Sequence, residues 1–216
     1  MTLTREIALD PEQSALLFID VQNFSAHRNG GEFEALGKDN FDEKFGGFFD
    51  QLENRVIPNM QAIQSACRDA NVEVMYTVIE SLTLDGRDRS LDYKITGFNV
   101  PKGSWDGKVI EQIAPQNDEI VLPKTSSSVF VSTHIDYILR NLGVKQLVLS
   151  GLLTDQCVES AIRDACDLGY LVTQVTDACM TMTESRHNNS IEAIKGYCRQ
   201  ITTEDLLREL KETSHE

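Results

Sequence analysis

The sequence predicts an α/β fold, a three-layer sandwich in which a mostly parallel sheet of about six strands is covered by helices on both faces. Two observations carry this expectation. Apolar runs of strand length recur along the chain: SALLFID (14–20), VEVMYTVIE (72–80), DEIVLPK (118–124), KQLVLSG (145–151), YLVTQVTDA (170–178) and RQIT (199–202). Amphipathic stretches with helical spacing alternate with them, around 50–70, 132–142, 155–168, 186–197 and 203–212. Strands that are apolar nearly throughout belong in a parallel sheet buried from both sides. The chain reads as a single domain over 1–216, with no internal linker, repeat or low-complexity tract.

At 216 residues the chain is long enough to bury a sizeable core without a metal or disulfide. Its formal charge of −14 opposes binding to phosphate backbones and to anionic membranes. No apolar run is long enough to span a bilayer, and MTLTREIALDPEQ lacks a hydrophobic signal region, so the expectation is a soluble cytoplasmic protein. The five cysteines (67, 157, 166, 179, 198) are odd in number, widely spaced and free of CxxC, which suggests neither a disulfide framework nor a zinc ribbon. Histidines 27, 134, 187 and 215 have no metal-binding spacing. Neither GxGxxG nor a P-loop occurs, which weakens a nucleotide-binding reading.

Two segments interrupt the alternation. Residues 23–50 hold six phenylalanines among glycines and charges, and residues 81–108 hold the only tryptophan. Connections of this length are functional covers or disordered, and the aromatic content favours packed covers. They could close over their own chain's site or a neighbour's.

Ligands of an open parallel sheet bind outside the carboxyl ends of its strands, so reactive residues just there are the candidates. ALLFI runs into Asp20, EIVLP into Lys124, and QLVLSG into the turn that delivers Cys157. Asp20, straight after five apolar residues, would be partly desolvated and a better proton acceptor. A lysine near that carboxylate would stay charged through the pairing. Positions 158, 161, 162, 165 and 168 have helical spacing, with Thr154 or Asp155 as N-cap and Gly169 as stop, so Cys157 falls in the first helical turn. The dipole and free N–H groups there would favour a thiolate that alkylates well below pH 8. The same N–H groups can stabilise an oxyanion. Glu80 ends the second strand at the same edge and could accept hydrogen bonds from a substrate –NH2. Asn23, Phe24 and Gln156 flank the candidates and could line a pocket. Arg87, Arg89 and Lys94 could bind a substrate carboxylate. ESRH (184–187) opens a helix and receives no chemistry.

FIDVQN, VLPKTSSSVF and GLLTDQCVESAIRDACDLGY, in this order and at similar spacing, resemble the three signature segments of the isochorismatase-like cysteine hydrolases. That Rossmann-like superfamily includes nicotinamidase, N-carbamoylsarcosine amidase, biuret hydrolase and ureidoacrylate amidohydrolase. The likeness spans roughly 12–202. It implies Cys157 as nucleophile, Asp20 as the base that takes its proton, and Lys124 as the cation that orients Asp20. It also implies a cis peptide at Leu152–Leu153 and an oxyanion hole from the N–H groups of Leu153 and Cys157. No cofactor is implied, and homo-oligomers, dimers or tetramers, are common in the superfamily.

Departures from the pattern narrow the substrate. Nicotinamidases carry an Asp-x-His and a further His after the second strand, which hold a metal; here the region reads VIESLTLDGRDRS, without histidine. A metal site is therefore not expected. True isochorismatases lack the cysteine. GGEFE, KGSWD and EIVLPK look most like the ureidoacrylate and biuret hydrolase branch. The expectation is a metal-independent cysteine amidohydrolase that cleaves a C–N bond of a small amide, carbamoyl or ureido compound. The alternatives are an idle binding or scaffold protein on the same fold, or a nicotinamidase-like amidase.

Overall fold

In the computed structural model, which describes residues 4–34 and 41–213, the first strand, β1 (Ser14–Ile19), is buried along its whole length. Its side chains alternate between two cores. Leu16 and Phe18 enter one, Ala15, Leu17 and Ile19 the other, as the two-residue period of a strand requires. An uninterrupted apolar run therefore serves both faces at once.

Strands β2 (Glu73–Ile79), β3 (Ile120–Lys124), β4 (Gln146–Leu152), β5 (Leu171–Met180) and β6 (Arg199–Ile201) follow, each within the stretch expected or a residue or two beyond it. They form one sheet of six strands in the order β3-β2-β1-β4-β5-β6, with every pairing parallel. On the Leu16/Phe18 face pack the helical stretch from Phe41 to Asp69 and helix Thr203–Thr213. On the other face pack helices Val129–Ser132, Ile135–Asn141, Glu159–Asp167 and Glu184–Ile194. Among the described residues no helix is long and apolar enough to cross a membrane.

Three helices differ from expectation; the one expected around 132–142 is broken into Val129–Ser132 and Ile135–Asn141. The helix expected from about residue 50 begins at Phe41, and a π-helical turn, Leu52–Val56, joins Phe41–Gln51 to Ile57–Asp69. Pro58 lies in the first turn of the latter helix, where its missing N–H removes one α-type bond and favours a wider turn. The helix expected from Thr154 or Asp155 opens with another π turn, Thr154–Val158, before Glu159–Asp167.

Both long segments contain local structure. The first carries helices Asn23–Ala26 and Gly31–Glu34 as well as the start of Phe41–Gln51; its residues 35–40, like His215, lie outside the described residues. Its phenylalanines at 33, 41, 45, 48 and 49 pack on one another, with Phe33 5.1 Å from the rings of both Phe45 and Phe49. The second carries helix Leu91–Thr96 and a 3-10 turn, Trp105–Gly107.

Candidate active site

Three strand ends build the site. Asp20 follows β1 directly and adopts a left-handed conformation, φ 54°, which a short polar side chain tolerates better than most. Thr77 of β2, in register with Ile19, holds it there. The Asp20 N–H donates to the Thr77 carbonyl at 3.1 Å, and the Thr77 hydroxyl donates to Asp20 Oδ1 at 2.8 Å.

Lys124 is the last residue of β3, two strands from β1, so its backbone stands about 10 Å from that of β1 at ordinary strand spacing. Its long side chain reaches past the end of β2. Nζ lies 2.8 Å from Asp20 Oδ2 and donates to the carbonyls of Ser126 at 2.7 Å and Ser127 at 3.0 Å. Pro123, just before it, is tolerated because β3 is an edge strand.

Cys157 comes from β4. Gly151, φ 143°, lets the chain pass β1: a Cβ there would stand 2.2 Å from the Ile19 carbonyl oxygen. The Leu152–Leu153 peptide is cis, and the π turn follows. Cys157 Sγ then sits 3.4 Å from Lys124 Nζ. The exposures of Asp20, Lys124 and Cys157 are 2%, 0% and 5%, so their charges interact in a medium far less polar than water.

Electrostatics oppose a resting thiolate. Burial, then the negative charge of Asp20, push the Cys157 thiol up to about 12, against the pull of Lys124. Burial also disfavours the Lys124 ammonium, but Asp20, Cys157 and Tyr93 outweigh it and hold Lys124 above the ordinary lysine range. The expected low-pH thiolate is thus corrected: the site at rest pairs a neutral thiol with an Asp20–Lys124 ion pair. Asp20 Oδ2 has no well-aligned hydrogen-bond donor beyond that ion pair.

Asp20 and Cys157 line a cavity of about 400 Å³, which both long segments of the same chain help to wall, while Lys124 lies buried behind them. Gln156 and the two residues of the cis peptide line it, as do Ser25, Tyr93 and Phe98. Asn23 and Glu80 do not, contrary to expectation, because both are spent on the second long segment. Asn23 Nδ2 donates to the Trp105 carbonyl at 3.0 Å, and Glu80 Oε2 accepts from the Gly103 N–H at 3.2 Å. Phe24 packs edge-on against Phe98, 4.7 Å between centroids, and so backs the wall from behind. The three basic residues expected to hold a carboxylate are elsewhere: Arg87 pairs with Asp85, Arg89 donates to the Gly86 and Phe98 carbonyls, and Lys94 is exposed.

Thr154 and Asp155 do not cap the turn; their partners are tertiary. Thr154 Oγ1 lies 2.8 Å from His187 Nδ1, and Asp155 takes Thr181 Oγ1 and the Arg186 guanidinium, each at 2.5 Å. ESRH, assigned no chemistry, thereby places Arg186 on the cavity wall. Of the other cysteines, Cys67, Cys179 and Cys198 are buried and Cys166 half-buried, and none lines this cavity. Among the described residues, no group of three His, Cys, Asp or Glu side chains is placed to hold a metal ion.

A family model for the isochorismatase domain matches residues 14–205. The chain belongs to the isochorismatase domain family. Solved structures agree on the fold of this isochorismatase-family chain. A cysteine hydrolase from Pseudomonas syringae superposes with a TM-score of 0.81 at 22% identity, covering 96% of each chain. An N-carbamoylsarcosine amidase from Thermoplasma acidophilum gives 0.66 at 24% identity over 88% of this chain and 96% of that one. A pyrazinamidase/nicotinamidase from Streptococcus mutans gives 0.68 at 20% identity, over 87% and 99%.

Proposed function

We propose that this isochorismatase-family protein is a cysteine amidohydrolase that cleaves a C–N bond of a small amide, carbamoyl or ureido compound through a thioester. One observation carries the reading: a single buried ammonium, Lys124 Nζ, touches both the Asp20 carboxylate and the Cys157 sulfur, and those two residues line a substrate-sized cavity.

Because the resting thiol is neutral, proton transfer accompanies attack. Asp20 takes the Cys157 proton as Sγ bonds to the carbonyl carbon, and Lys124 limits the cost of the negative charge that passes through sulfur. The N–H groups of Leu153 and Cys157 are the donors proposed for the tetrahedral oxyanion. Asp20 returns its proton to the leaving nitrogen, the C–N bond breaks, and ammonia or an amine departs from the thioester. Asp20 then deprotonates a water that attacks the thioester, and the proton goes to sulfur as the acid is released. Every proton in this sequence is carried by Asp20, so the scheme calls for no cofactor.

The test is ammonia release from nicotinamide, N-carbamoylsarcosine, biuret and ureidoacrylate, by wild type and Cys157→Ser, with and without a chelator. Release that survives chelation and disappears in the variant supports a metal-independent cysteine mechanism. A protein that binds such compounds but turns none over would be an idle triad on this fold, and the proposal would fall.

A further inference from the structure

Among the described residues, the unpaired charges on the cavity walls are of one sign. Glu32, from helix Gly31–Glu34, and Asp92, from helix Leu91–Thr96, both line the cavity, and neither carboxylate has an ion-pair or hydrogen-bond partner among the described residues. The cation on the wall, Arg186, is closed onto Asp155, with two of its nitrogens 2.5 Å from Oδ2. Lys124 is buried behind the lining and is matched by Asp20. The lining therefore offers two uncompensated carboxylates and no free cation among the described residues.

Resting on the amidohydrolase reading, we infer that this site selects amides or ureido compounds whose end remote from the scissile carbonyl carries an amine or another cationic N–H group. Glu32 receives that group, with Asp92 at the mouth, and compounds with a carboxylate there are rejected.

The positions fit these roles. Asp92 is exposed on the rim, whereas Glu32 is half-buried and fixed through its neighbours: the Gly31 N–H donates to Asp106 at 3.1 Å, and the Phe33 N–H to the Gly30 carbonyl at 3.0 Å. Burial pushes the Glu32 carboxyl up to about 7, so an empty cavity holds it partly neutral. A bound ammonium would replace lost hydration with a charge-assisted hydrogen bond and restore the ionised form. An anionic group would meet both carboxylates, in a chain already at −14. The ureidoacrylate type, which bears a carboxylate, is thereby disfavoured within the branch that the sequence resembles.

Three amides of similar length test the inference: 4-aminobutanamide, pentanamide and succinamate. Turnover is followed by ammonia release with wild type, Glu32→Gln and Asp92→Asn. Binding is measured by calorimetry with Cys157→Ala, alone and combined with Glu32→Gln, and melting temperatures report folding. Wild type should favour 4-aminobutanamide over succinamate by at least about tenfold in kcat/KM, mainly through KM. Glu32→Gln should cut this ratio about tenfold and Asp92→Asn by a smaller factor. Turnover that is blind to charge, that favours succinamate, or that keeps its preference in both folded variants would overturn the inference and leave the amidohydrolase reading standing. Cation-selective binding without turnover would overturn the amidohydrolase reading and leave this assignment of Glu32 intact. No binding of any of the three would overturn the inference.

Discussion

Replacing Lys124 with methionine isolates what its ammonium contributes, because the unbranched side chain keeps most of the stem and removes only the charged head. That head is fully buried and holds three groups together: Asp20 Oδ2 and the carbonyls of Ser126 and Ser127. In Lys124→Met the Asp20 carboxylate would stay buried with the Thr77 hydroxyl as its remaining side-chain donor. Stranding a buried charge in this way costs about 3–5 kcal/mol. Asp20→Asn strands the ammonium instead and should cost about 2–4 kcal/mol, since two carbonyls still receive it. The double variant strands neither charge. It should therefore be more stable than the sum of the single losses by at least about 2 kcal/mol. Urea unfolding at pH 7, followed by far-ultraviolet circular dichroism for all four proteins, measures the cycle. Single losses under about 1 kcal/mol that simply add would show that the ion pair is not the buried unit described here.

Other outcomes follow from the same geometry. Iodoacetamide should modify wild-type Cys157 slowly at pH 7, because burial and Asp20 hold the thiol near 12. Asp20→Asn removes the second of these while keeping Lys124, so alkylation should quicken by about tenfold or more as turnover is lost; unchanged reactivity would refute the charge argument. Glu32 lies above its ordinary value of 4.5 when folded, at about 7, so its contribution to stability is complete below pH 4.5 and lost as pH rises through about 7. Glu32→Gln should therefore stabilise the protein at pH 8 by about 3 kcal/mol and leave it unchanged at pH 4, as urea midpoints at the two pH values will report. Gly151→Ala would drive a Cβ into the Ile19 carbonyl and should lower stability by about 3 kcal/mol or more, with loss of ammonia release; a variant that melts like wild type would contradict the close approach.

The grouping of Asp20, Lys124 and Cys157 was legible because each lies at or just beyond the end of a strand that the sequence marks clearly. A parallel sheet sends its strand ends to one edge, so Asp20, Lys124 and Cys157 could be grouped without knowing the strand order. Thr77 was not legible: it lies inside β2, and only its register with Ile19 brings its hydroxyl to Asp20. Helix Phe41–Gln51 was obscured by Gly46 and Gly47, although the phenylalanines at 41, 45, 48 and 49 recur at helical intervals. Glu80 stands at the right strand end, but its carboxylate meets the backbone of a loop more than twenty residues on, a contact that sequence spacing does not encode. Glu32 and Arg186 come to the cavity from a folded-over segment and a helix start, so their place depends on tertiary packing. Thr154 and Asp155 have good capping chemistry, yet better-placed partners across the site take their side chains.

Strand β3 is bonded to the sheet along one side only, through β2, and its Pro123 has no N–H to offer. Such a margin is the first part of a sheet to fray. Lys124, at its tip, reaches over β2 and fastens to the residue that ends β1, so the margin is tied to the middle of the sheet by a side chain as well as by ladder bonds. The same tie runs in reverse. Whenever the margin loosens, by warming, by denaturant or during synthesis, the cation withdraws from Asp20 and Cys157 while the remaining strands stay paired. On the proposed mechanism, turnover should then fade ahead of global unfolding and return only once β3 has docked, which would make it a more sensitive gauge of that edge than any spectroscopic measure of the whole chain.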